Sequence, residues 1–144
     1  VFAKLTATHT SDLDTVTAIG DGKEPRWSSG NKVPRWTSRG QEGKPQTVTG
    51  TFHGPKKIRS IGVFWMDHYQ HPVKFPKGWK IEVRQGGQWK PFELYTTDRY
   101  DTRANQFNVV HPAAPLTCEA IRIHMVPREK MAIGILEMKV VFEK

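Results

Sequence analysis

The chain has 144 residues, 22 Lys and Arg against 14 Asp and Glu for a formal net charge of +8, and 37% hydrophobic residues including five Trp, seven Phe and three Tyr. Its length is about that of one ordinary domain, long enough to bury roughly two-thirds of the unfolded chain's surface, and its apolar content excludes a disordered segment. The only cysteine, Cys118, excludes an intrachain disulfide and with it a disulfide-stapled miniprotein, and no apolar run is long enough to cross a bilayer as a helix.

The positive balance favours an anionic partner such as an acidic or sulfated glycan, a nucleic acid or a membrane surface. No run of four basic residues marks a dedicated patch, so a merely well-solvated basic surface is the competing reading. The chain opens at Val1 with no initiator Met, basic n-region or apolar h-region. It is therefore expected to be one domain, residues 1–144, excised from a larger protein.

In chain order, a short strand is expected near Phe2 to Ala7. Residues 10–45 follow with little periodicity and most of the turn signals: Asp21-Gly22, Ser28-Ser29-Gly30-Asn31 and Gly43-Lys44-Pro45. Alternation then sets in through Val48, Gly50 and Phe52, and again through Ile61, Val63 and Trp65. The clearest strand puts Trp79, Ile81 and Val83 on one face and Lys80, Glu82 and Arg84 on the other. Gly86-Gly87 turns it into a hairpin whose second arm has Trp89, Phe92 and Leu94 as its apolar set. Phe107 and Val109, then Ile121, Ile123 and Met125, then Leu136, Met138, Val140 and Phe142 complete the pattern. No helix-period stretch of ten residues occurs, and about eight strands suit an all-β two-sheet sandwich.

Catalytic signatures are missing: there is no G-x-S-x-G, H-E-x-x-H, Walker loop or G-x-G-x-x-G, and Cys118 sits in a strand-like run. A glycosidase pair would need two of Asp67, Glu93, Asp98 and Asp101 to converge, whereas loop carboxylates on a small β domain are ordinarily solvated. His68 and His71 stand three apart with only Asp67 as a further metal ligand, a poor zinc set.

The connection from Trp65 to Pro76 is more informative, because it mixes Trp65, Asp67, His68, Tyr69 and Lys74. Sugar recognition needs an aromatic face for ring C–H groups and fixed charged or amide groups for hydroxyls. Trp27, Arg35, Trp36 and Arg39 repeat that pairing in the long first loop. The competing reading is that Trp27, Trp36 and Trp65 plug the ends of the sandwich. Asp21 and Glu137 are hard oxygen ligands of the kind Ca²⁺ takes with backbone carbonyls, though on their own they carry little signal.

Several stretches together resemble the discoidin, or coagulation-factor-type, domains, which include the family 32 carbohydrate-binding modules. They are Gly20-Asp21-Gly22, Trp27-Ser28-Ser29, residues 58–65, Trp79-Lys80-Ile81-Glu82-Val83, Gly87-Gln88-Trp89-Lys90-Pro91, Ile121-Arg122-Ile123 and residues 134–140. A closer likeness is to C-terminal β-sandwich modules of bacterial β-L-arabinofuranosidase-type glycoside hydrolases. It is carried by Asp21-Gly22-Lys23-Glu24-Pro25, Pro34-Arg35-Trp36-Thr37, Phe64-Trp65-Met66-Asp67 and Lys74-Phe75-Pro76-Lys77-Gly78-Trp79.

The resemblance implies a galactose-binding-domain-like jelly roll with one structural Ca²⁺ held by Asp21 and Glu137. It also implies a shallow glycan site made of Arg35, Trp36, Trp65, Asp67, His68 and Lys74. The chain departs from the pattern at Pro25-Arg26, where a Thr or Ser is usual, at Lys74 in place of Arg, and at His68 in place of a second acid.

The function so implied is a non-catalytic, monomeric module. It would hold a parent glycoside hydrolase on glycan outside a bacterial cell, in the periplasm or on the surface, with an acidic pectic polymer favoured by the charge. The alternatives are a structural domain packed on the catalytic domain of the same polypeptide without binding sugar, or a binder of another anionic surface, nucleic acid being the less favoured.

Overall fold

The computed structural model describes residues 1–30, 34–68 and 72–144. Asn31, Tyr69 and His71, named above, lie outside the described residues. Among the described residues eight strands are present: β1 (Phe2–Ala7), β2 (Trp36–Thr37), β3 (Gln46–Trp65), β4 (Gly78–Gln85), β5 (Gln88–Pro91), β6 (Asn108–Val110), β7 (Thr117–Val126) and β8 (Gly134–Phe142). Their ladders are all antiparallel, so the expected all-β sandwich of about eight strands is what forms.

Strand β3 belongs to both layers. Its first half pairs with β1 and β7 in the order β1-β3-β7-β4-β5, and its second half with β8 and β6 in the order β2-β8-β3-β6. The change of layer falls in the irregular register between Thr51 and Lys56. There Gly54 adopts φ 91°, a conformation costly for other residues, and Pro55 withholds its N–H from the ladder. Sequence alternation shows two strands here because the corner interrupts the pattern.

Inward-facing residues of the two layers make one core: Val48, Phe52, Ile81, Val83, Ile121 and Ile123 from one, Ile61, Val63, Trp65, Met138 and Val140 from the other. Cys118 is buried here, and burial pushes its thiol up to about 11, leaving it protonated and unreactive.

Four details depart from the sequence pattern. A 3-10 turn over Val16–Gly20 and the two-residue strand β2 organise the segment that showed no periodicity. Trp89 lies on the outer face of its hairpin under the Arg122 guanidinium, 4.2 Å from the ring centroid, because Trp89 pairs with outward Arg84. In β6 the phase is the reverse of that expected: Asn108 and Val110 are buried and Val109 is exposed. Asn108 tolerates burial because its side-chain amide donates to the Val63 and Arg103 carbonyls and accepts the Arg103 N–H at 2.7 Å.

The fourth departure is in β8. Opposite the two-residue step from Val63 to Trp65, β8 takes three, from Met138 to Ile135. This bulge keeps Ile135 and Met138 in the core and turns both Leu136 and Glu137 away from it. Leu136 joins a second apolar cluster on the outer face with Phe64, Met66, Val73 and Ala132.

Gly134, at the start of β8, lets the connection after β3 lie flat on that face: a Cβ there would meet Met66 Cβ and Val73 Cγ1 at 2.9 Å. Gly134→Ala is expected to lower unfolding free energy by about 1–3 kcal/mol through overpacking, read from urea denaturation midpoints at unchanged m.

Candidate functional site

At the end of the sandwich where β3 runs out, three loops are tied together through one residue. Ser28 accepts the Asp67 N–H on its carbonyl at 2.9 Å. Its own N–H donates to Asn105 Oδ1 at 2.8 Å, and Asn105 N–H donates back to Ser28 Oγ at 2.8 Å. Asn105 holds φ 62°, a left-handed conformation that Asn tolerates better than most residues.

The segment leading to Asn105 is anchored from below. Tyr100 packs edge-on against Trp79 at 4.7 Å and its hydroxyl accepts the Ile81 N–H, while Trp79 Nε1 donates to the Asp101 carbonyl at 3.0 Å. Asn108 clamps Arg103 from the other side. A rigid scaffold thus holds these loops, the arrangement in which loops carry recognition.

Trp27 is the aromatic group this junction presents. It is 56% exposed, with the Arg26 guanidinium 5.6 Å from its ring centroid. On the loop tied to its neighbour Ser28, Asp67 forms an ion pair of 3.2 Å with Lys74, both side chains about a third exposed. The two are brought together by the antiparallel bridge from His68 to Val73, which folds the connection back on itself. Asn105 Nδ2 has no partner among the described residues, which leaves its hydrogens for a ligand. The junction therefore offers a ring face, a carboxylate, a cation and an amide donor, all in contact with water.

No family model and no curated protein matches the chain by sequence. Solved structures do match by shape. The family 32 carbohydrate-binding module of C. perfringens NanJ, solved with galactose, superposes with a TM-score of 0.74 at 18% identity, covering 97% of this chain and 93% of that one. A chain of the Streptococcus pneumoniae β-galactosidase BgaA gives 0.77 at 19% identity, covering 97% and 91%. A pectin-binding carbohydrate-binding module gives 0.66 at 14% identity, covering 97% and 90%.

The chain has the fold of the family 32 carbohydrate-binding modules. The discoidin resemblance read from the sequence thus holds at the level of architecture.

Within this fold, the residues expected at the glycan site separate into two groups. Asp67 and Lys74 meet at the surface, as described. Trp36 and Trp65 are fully buried and cannot present a ring face to a sugar: Trp36 Nε1 donates to the His9 carbonyl at 2.9 Å, and Trp65 stacks edge-on with Trp79 at 5.2 Å. Their competing role, plugging the end of the sandwich, is the one they play. His68 is 4% exposed and so sits beneath the site rather than on it. Arg35 is committed to the almost fully buried Asp14 carboxylate at 3.1 Å, which also binds Thr37 Oγ1 and lies 3.6 Å from Arg39.

Trp27, named with the loop but not among the expected contacts, takes the place that Trp36 and Trp65 vacate. Asn105 carried no sequence signal beyond the tolerance of Asn for positive φ. Of the carboxylates considered as a catalytic pair, Asp67 pairs with Lys74, Asp98 with His111 and Asp101 with Arg103.

The two residues expected to hold calcium do come together. Glu137, turned outward by the β8 bulge and 4% exposed, accepts the Gly22 N–H on Oε2 at 2.9 Å, while its Oε1 is buried with no hydrogen-bond partner among the described residues. Its carboxyl is pushed up to about 8, first by burial, then by the neighbouring Asp21 and Glu24 carboxylates, against the opposing Gly22 N–H. Among the described residues no three His, Cys, Asp or Glu side chains gather, so a cation here would complete its shell with backbone carbonyls. An orphaned, buried carboxylate oxygen beside a second carboxylate fits a hard cation.

A carboxyl whose folded pKa is raised favours folding while protonated. The contribution is full below the unfolded value near 4.5 and is lost as pH rises through about 8. In chelator the melting temperature is expected to fall between pH 5 and pH 9 by more than in Glu137→Gln, which removes the titration. A second check on the site assignment is that Trp36→Ala and Trp65→Ala should each cost about 3–5 kcal/mol of unfolding free energy, whereas Trp27→Ala should stay within about 0.5 kcal/mol.

Proposed function

We propose that this chain is a non-catalytic carbohydrate-binding module whose site is the junction of Trp27, Asp67, Lys74 and Asn105. The observation that carries this reading is Trp27: a large ring more than half exposed, on a loop that Ser28 ties to Asn105 and to the Asp67 of the Asp67–Lys74 ion pair. An aromatic side chain stacks on the C–H face of a pyranose while directed polar groups take its hydroxyls. The site is shallow, so affinity for a single sugar falls in the range of about micromolar to millimolar.

In this proposal the ligand is an acidic glycan of the pectic kind. Lys74 and Arg26 at the site and the net charge of +8 support a uronate, and one module of similar fold is described as pectin-binding. Asp67 holds Lys74 in place rather than opposing the ligand outright, as the ion pair orients the ammonium. The module then acts as the targeting part of a bacterial glycoside hydrolase of the β-L-arabinofuranosidase type working outside the cytoplasm, its partner being the catalytic domain of the same polypeptide. Among the described residues no helix is long and apolar enough to cross a membrane.

We further propose that Asp21 and Glu137 hold a structural Ca²⁺. When bound, the ion neutralises the two carboxylates and fixes the Gly22 turn against β8. Added calcium is expected to raise the melting temperature and abolish its decline at alkaline pH, and Glu137→Gln should remove both responses.

Affinity electrophoresis on neutral galactan and on polygalacturonate at two salt concentrations tests the function. Retention on polygalacturonate that weakens at higher salt is expected, since charge contacts are screened. Trp27→Ala should lose retention on both gels while remaining folded, and Lys74→Ala on the acidic gel alone. A folded protein retained by neither polysaccharide overturns the reading.

A further inference from the structure

Elsewhere on the molecule, residues 93–95 and 111–113 run side by side. Ala113 N–H donates to the Glu93 carbonyl and Tyr95 N–H to the His111 carbonyl, both at 2.9 Å, and Leu94 faces Pro112 between them. Alternate residues of such an antiparallel pair face opposite sides. Leu94 packs on the core, so Tyr95 and His111 stand beside each other on the other side.

Tyr95 is 51% exposed, and with Thr97, Asp98 and His111 it lines a concavity of about 420 Å³. Asp98 builds the floor. Its Oδ2 accepts the His111 backbone N–H at 2.6 Å and lies 3.0 Å from the ring Nδ1, and its own N–H donates to the Tyr95 carbonyl, closing a turn. The Asp98 side chain is 15% exposed while that of His111 is 51% exposed, so the carboxylate works underneath and the imidazole faces out. With Nδ1 engaged by the carboxylate, Nε2 is the ring nitrogen left to face solvent.

We propose that this concavity is a second sugar-binding site that takes a neutral hexopyranose. The Tyr95 ring lies under the C–H face of the sugar, His111 Nε2 accepts from one hydroxyl, and the Thr97 hydroxyl pairs with another. Neutrality follows from the lining, which holds no Lys or Arg and one carboxylate. In this respect it is the opposite of the Trp27 junction with its Lys74 and Arg26.

His111 follows Asn105 by six residues, so the Cα atoms of these two residues lie at most about 22 Å apart. One polysaccharide chain can then engage both, and the second contact raises avidity without further affinity at either.

The test is two-dimensional NMR of the ¹⁵N-labelled chain titrated separately with galactose, glucose, mannose, N-acetylglucosamine and galacturonate. The expected result is saturable shifts around Tyr95, Asp98 and His111 with at least one neutral sugar. They should persist in Trp27→Ala and weaken by about tenfold or more in Tyr95→Ala and in His111→Phe. No saturable shift there with any neutral sugar, or galacturonate binding there as tightly as the best of them, overturns the proposal. Shifts around Trp27 report on the first site independently, so failure of one site is not mistaken for failure of the other.

Discussion

The structure hangs on β3. Twenty residues long, it supplies a central strand to each layer and pairs with β1, β7, β8 and β6. One bend at Gly54 therefore sets how the two layers face each other, and with it which side chains of both halves meet in the core. Because β3 ends at Trp65, the same strand delivers Met66, Asp67 and His68 to the end of the sandwich. Core and candidate site are consecutive stretches of one chain, and the buried Trp65 is the last core residue before the loop that carries Asp67.

The two outward features of the molecule both come from breaking strand regularity. Without the extra residue in β8, Glu137 and Leu136 would alternate between faces. With it both turn outward, Leu136 to seal the Phe64 cluster and Glu137 to meet the Gly22 turn. The cost is a buried carboxyl group with one unsatisfied oxygen, which its burial keeps largely protonated at neutral pH. A bulge spent on an acid that the fold then leaves half-satisfied is understandable if something positive completes it.

The surface proposed to face sugar follows a similar logic of exchange between burial and exposure. Of the Trp residues in the first 65 positions, two fill the end of the sandwich and one is left on the outside. Trp36 and Trp65 lie in or at the end of strands paired on both sides or covered by loops, where a large ring gains most by leaving water. Trp27 sits on a loop whose backbone is fully engaged through Ser28 and Asn105, so its side chain has no core to enter. Ser28 ties this loop to Asp67 and Asn105, while Lys74 is held by its N–H to the Ala132 carbonyl and by its ion pair with Asp67.

The all-β class, the hairpin at Gly86-Gly87 and the core faces of β4 and β7 were legible in the sequence, because alternation with period two is a local property of each strand and turn glycines mark its ends. So was the contact of Asp21 with Glu137, through resemblance rather than pattern. The reversed phase of β6, the bulge in β8 and the layer change within β3 were not, since each depends on the partner strand. Asn108 is inside because Val63 and Arg103 offer it hydrogen bonds, and Leu136 is outside because β3 lacks a residue opposite it. The same holds for the site. Residue types sufficient to bind sugar were visible in two loops, but which tryptophan meets solvent is decided only when the ends of both layers close around Trp36 and Trp65, as burial is a property of the assembled fold and not of any one segment.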